Sequence, residues 1–121
     1  MNDILYKEMI LDLYRNPLNK KKIDHPDCCH KELNVSCGDE IEISLKIEEG
    51  KIIDIGHQGS GCAISQAAVS LLTEEVKGKL VSEVELMAEK EMLALFPIEI
   101  SANRMNCALL GYRALLKCLI K

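Results

Sequence analysis

The clearest pattern in the chain is an alternation. Ile41, Ile43, Leu45 and Ile47 are separated by Glu42, Ser44, Lys46 and Glu48. A strand over 41–48 therefore turns one face to a core and the other to water. Glu49-Gly50 supplies a tight turn, 51–57 reads as the returning partner strand, and 33–36 as a short first strand. Elsewhere the period changes. Leu5, Met9 and Leu13 recur at every fourth position, predicting a helix over 4–14. Asn16-Pro17 ends it, because proline disfavours helical geometry in the residue before it. The polar stretch 20–27 reads as a surface loop.

Gly59-Ser60-Gly61 interrupts the sheet pattern. Ile64, Ala67, Ala68, Leu71 and Leu72 then share one face of a helix over 63–77, with Gly78 as its stop. Ser82 and Glu85 read as a capping box opening a helix towards Leu95 that Pro97 ends. A last helix starts near Asn103 and carries Leu109, Leu110, Leu115, Leu116 and Leu119. Strands first and helices afterwards predict an α+β fold: a small three-stranded antiparallel sheet with helices packed on one face.

Composition narrows the classes. A length of 121 residues, without internal repeat or linker, predicts one domain over 1–121. Aromatic residues make up 3% with no Trp, too few for a base-stacking platform, and the net charge of -4 opposes a phosphate backbone; nucleic acid is not an expected partner. No signal-peptide pattern and no apolar run of membrane-spanning length is visible, so no membrane is expected and a reducing cytoplasm is the expected compartment. There, six cysteines point to metal or thiol chemistry rather than disulfides.

Three of the six occupy junctions. Cys37 stands in Ser36-Cys37-Gly38-Asp39 between two predicted strands, Cys62 closes Gly59-Ser60-Gly61-Cys62 at a helix mouth, and Cys107 lies near the start of the last helix. Loops and helix N-termini favour thiolate, the form that binds metal or attacks sulfur. Asp39 adds a carboxylate. Three thiolates with one carboxylate suit tetrahedral zinc or iron in a sulfide cluster. The carboxylate is the harder, more replaceable corner, as a site that releases its cargo requires. The spacings match no local zinc motif, and a free cysteine is otherwise an ordinary small core residue.

Cys37-Gly38-Asp39, the run Gly59-Ser60-Gly61-Cys62-Ala63-Ile64-Ser65, and Arg104-Met105-Asn106-Cys107-Ala108-Leu109-Leu110 resemble the three ligand segments of the IscU/NifU-type iron–sulfur cluster assembly scaffold family. Asp12-Leu13-Tyr14-Arg15-Asn16-Pro17-Leu18-Asn19 is similar to that family's opening signature. The resemblance implies a non-catalytic scaffold that takes sulfur from a cysteine desulfurase, binds iron and transfers a [2Fe–2S] cluster to recipient apoproteins. It assigns Cys37, Asp39, Cys62 and Cys107 as ligands.

The chain stands between branches of that family. The IscU branch places His directly before the last cysteine, where this chain has Asn106. Its chaperone-read Leu-Pro-Pro-Val-Lys segment is replaced by Phe96-Pro97-Ile98-Glu99-Ile100, so a dedicated chaperone is not implied. Gly-x-Gly-Cys-x-Ile-Ser and Arg104 are closer to the SufU branch, which implies a second reading: a zinc-dependent sulfurtransferase subunit accepting persulfide on Cys107. A purely structural zinc module is the third. Among the remaining polar residues, Cys28-Cys29-His30 with His25 is expected in an exposed loop, Cys118 in the core, His57 as an ordinary strand-end histidine, Tyr6 in helix packing, and Lys20-Lys21-Lys22 as a solvated loop.

Overall fold

A computed structural model describes residues 3–36, 38–96 and 99–119. A first helix, α1 (Asp3–Arg15), is followed by three strands, β1 (Cys28–Asn34), β2 (Asp39–Glu48) and β3 (Lys51–Ser60). The helices α2 (Ala63–Val76), α3 (Val81–Glu85), α4 (Glu89–Leu93) and α5 (Met105–Leu119) complete the order, with a 3-10 turn at Ala102–Arg104 before α5. The sheet is antiparallel in the order β1-β2-β3. The fold is the α+β arrangement expected from the pattern.

The alternation in β2 has its predicted consequence at Ile41, Ile43 and Leu45, whereas Ser44 on the other face is also buried and Ile47, beyond a register shift at Lys46/Ile47, is only half-buried. Ile41, Ile43 and Leu45 are fully buried with Ile52 and Ile55 of β3, against Ala68, Val69 and Leu72 of α2 and Leu110 and Leu115 of α5. Each Ile, Leu or Val among them contributes roughly 1.5–3 kcal/mol by leaving water. Cys118 belongs to this core, as expected.

Several expectations need correction. The first strand is Cys28–Asn34 rather than 33–36, so Cys28-Cys29-His30 lie in an edge strand and not in a loop. Cys28 pairs with Leu45 and His30 with Ile43, and pairing with β2 extends this segment despite its polar composition. Gly59 and Ser60 continue β3, which ends at Ser60, three residues later than the expected strand over 51–57. The helix expected from Ser82 to Leu95 is two five-residue helices, and its first N-cap is Leu80, whose N–H donates to Glu83 Oε1 at 3.3 Å. The break at Met87 is held from outside the segment, because Tyr112 Oη donates to the Met87 carbonyl at 2.6 Å. Pro97, the Tyr6 side chain and Cys37 lie outside the described residues.

The connection after α1 is fastened at several points. Leu18 N–H donates to Ser70 Oγ at 3.2 Å, and Asn19 Nδ2 donates to Thr73 Oγ1 and Glu74 Oε1, both at 3.1 Å. Along β3, His57 N–H donates to the Asn19 carbonyl and Lys21 N–H to the His57 carbonyl. His57 is therefore no strand-end residue: it sits inside β3, 1% exposed, and its Nε2 lies 2.8 Å from the Leu18 carbonyl oxygen.

Candidate metal centre

Three segments far apart in the chain end at one place. Asp39 opens β2, Cys62 is the residue before α2, and Cys107 lies in the first turn of α5. One carboxylate oxygen and the two sulfurs lie within 4.8 Å of one another, the only such group of potential metal ligands among the described residues. Cys37 lies outside the described residues, two positions before Asp39 in sequence.

Asp39 is buried, and its position is set by α2. Cys62 is the N-cap of that helix but makes no side-chain cap bond. The Asp39 carboxylate takes that place from another strand: its Oδ1 accepts the Cys62 N–H at 3.0 Å. Negative charge at a helix N-terminus is favourable because the first N–H groups have no partners within the helix. The other oxygen, Oδ2, lies 3.9 Å from Cys62 Sγ. Ser65, fully buried, donates to the Cys62 carbonyl at 3.0 Å, and its Oγ stands 3.9 Å from the same sulfur. Gly59 has φ +125, and a Cβ there would meet the Glu40 carbonyl oxygen at 2.1 Å, so only glycine lets β3 lie this close to the start of β2.

Exposure divides the two thiols. Cys107 is fully buried, whereas Cys62 is half-exposed and forms the approach from solvent. Asn34, the last residue of β1, directs its Nδ2 to Cys107 Sγ at 3.8 Å. Nothing in the local sequence marks Asn34 or Ser65, since each meets the site through folding or a helix turn.

The donor set fits a metal. Tetrahedral zinc, with thiolate bonds of about 2.3 Å, holds its donors about 3.8 Å apart. Donors already within 4.8 Å need to draw in by only about 1 Å. Two thiols and one carboxylate leave a fourth position open among the described residues.

The other polar candidates lie elsewhere. His57 is directed to Leu18, and burial, with the Lys20 charge opposing protonation further, lowers its pKa although the Leu18 carbonyl acts the other way. Cys28 and Cys29 point to opposite faces of β1, which prevents both from joining one ion at that strand. Burial and then the Glu42 carboxylate push the Cys29 thiol up. Asn106 is exposed, and its Oδ1 accepts from Arg113 Nη1 at 3.1 Å. Arg104 is exposed. No helix among the described residues is long and apolar enough to cross a membrane.

The sequence profile described as "NifU-like N terminal domain" matches residues 5–121. A Thermotoga maritima protein named "Iron-sulfur cluster assembly scaffold protein IscU" is 38% identical over 92 residues, covering 75% of this chain and 65% of that protein. A Bacillus subtilis protein named "Zinc-dependent sulfurtransferase SufU" is 30% identical over 136 aligned positions, covering 98% of this chain and 92% of that protein. Among solved structures, a Fervidobacterium islandicum protein named as a candidate iron–sulfur cluster assembly scaffold for the SUF system superposes with a TM-score of 0.80 at 26% identity, covering 98% of this chain and 99% of its own.

Proposed function

The chain belongs to the NifU-like N-terminal domain family, and from that premise we propose that residues 1–121 act as one scaffold domain, receiving sulfur from a cysteine desulfurase, binding iron and passing a [2Fe–2S] cluster to recipient apoproteins. One observation carries the reading: Asp39, Cys62 and Cys107 converge from three elements on one small volume, with Cys62 partly exposed. In this reading the cluster is cargo and the protein is not itself a catalyst. Cys37 supplies the remaining thiolate. Asp39 is the hard corner among soft donors, so iron exchanges it most readily.

The test is anaerobic reconstitution with iron, cysteine and a desulfurase, followed by absorption during transfer to an apo-ferredoxin. The wild-type chain forms a coloured, labile cluster. Asp39→Ala retains its cluster several-fold longer, with thermal melting as a control for the lost bond to Cys62 N–H. Faster loss from a folded Asp39→Ala variant contradicts the carboxylate's role, and a wild-type chain taking up neither iron nor sulfide overturns the scaffold reading.

A second reading is favoured by the Bacillus subtilis relative, whose match spans nearly the whole of both chains. Here zinc occupies the same donors and Cys107 accepts sulfur: its thiolate attacks the outer sulfur of the desulfurase persulfide, a new S–S bond forms as the old one breaks, and the desulfurase cysteine leaves as thiolate. Because Cys107 is fully buried, the rim around it must open for this step. Stoichiometric zinc after anaerobic purification, with desulfurase stimulation abolished in Cys107→Ser, distinguishes this reading from the first.

A further inference from the structure

We infer that Asn34 is the positioning residue that holds the Cys107 sulfur for its metal cargo and ties it to the start of β2 at Asp39. This rests on the metal-binding role proposed above.

Asn34 acts at two points. Its backbone carbonyl accepts the Gly38 N–H at 2.9 Å and its Cα pairs with Asp39, so it joins the end of β1 to the start of β2. Its side-chain amide donates across 73 positions of sequence to Cys107 Sγ at 3.8 Å. The strand end that pairs with Asp39 thus also touches Cys107. Its side chain is on the helix-facing side of β1, half-buried, in the alternation that also sends Cys28, His30 and Glu32 that way.

The chemistry follows from the donor type. A thiolate sulfur has several lone pairs, so one amide N–H bond leaves others for a metal. An amide carries no charge and does not ionise, so its contribution does not vary with pH. Hydrogen bonds to metal ligands orient them and tune their donation, and their loss typically costs 10–100-fold in affinity. At this long N···S distance the low end, about tenfold, is expected.

Cobalt(II), loaded into the full chain under nitrogen as a spectroscopic stand-in for zinc, provides the test. Asn34→Ala should weaken cobalt and zinc binding about tenfold. Its thiolate-to-cobalt absorption bands should move to longer wavelength, because a sulfur without the N–H donor gives up charge more easily. Asn34→Leu keeps the size but removes the donor without adding a charge, so it should bind as weakly as Asn34→Ala. Wild-type affinity and unshifted bands in Asn34→Leu would reduce Asn34 to a space-filling role and overturn the inference. In the metal-free chain, the Asn34 side-chain amide resonances should move in Cys107→Ala; unchanged resonances refute the contact itself. If Cys107→Ala moves the Asn34 resonances yet the wild-type chain binds no cobalt, zinc or iron, the scaffold reading falls, and the positioning role with it.

Discussion

A Cβ at position 61 would lie 2.4 Å from Ser65 Oγ and 2.8 Å from Asp39 Oδ1. The residue before Cys62 therefore has to be glycine for the carboxylate to reach the Cys62 N–H. Gly61→Ala should push Asp39 and Ser65 away from Cys62 and weaken zinc binding at least about tenfold, in the range seen when groups supporting a metal ligand are lost. The strain is local, so stability should fall by only about 1–3 kcal/mol. Chelator competition and thermal melting, run together, check both figures; unchanged affinity would show that Asp39 does not depend on that gap. This requirement was only half legible. The glycines around Cys62 signal a close approach, but what approaches is a side chain 23 positions upstream.

At the level of elements, β1 and the α3–α4 pair departed from the local pattern. In β1 the residues facing α5 are Cys28, His30, Glu32 and Asn34, so no apolar alternation announces a strand. The strand exists because β2 pairs with it and because Lys117 of α5 bonds to Glu32, which lowers the Glu32 pKa. The α3–α4 break likewise depends on a tertiary bond, from Tyr112 to Met87. The fastening of the α1–β1 connection through His57 makes a prediction of its own. Burial holds the folded pKa of His57 below its ordinary value of 6.5. As pH falls through about 6.5, the unfolded chain takes up a proton that the folded chain refuses, so stability falls and levels off only below the folded pKa. Urea melts between pH 7.5 and 5.5 should show this loss, and His57→Asn should flatten the slope whatever it does to overall stability. An unchanged slope would assign the pH dependence to other groups.

Across the whole molecule, the candidate centre joins β2 to the N-terminal ends of α2 and α5. A metal held there restrains three elements at once and binds the folded chain in preference to the unfolded one. Saturating zinc at one hundred times its dissociation constant should then stabilise the protein by about 2.7 kcal/mol. The melting temperature should rise by several degrees on loading and return on chelation, with the chain still folded. Cys107→Ser should lose most of the rise. Collapse of the fold on chelation would point instead to zinc as a purely structural element.

The sequence by itself determined the sheet face, the helix faces and the junctions at which Cys62 and Cys107 stand. These follow from the period of apolar residues and from glycine, both of which act over a few neighbouring positions. The resemblance of its motifs carried the family and implied a ligand set. Only the tertiary structure decided that Asp39 caps α2 across the sheet, that Asn34 touches Cys107 and that His57 belongs to the Leu18 connection. Those contacts join residues from 23 to 73 positions apart, and no local pattern encodes a distance that packing alone closes.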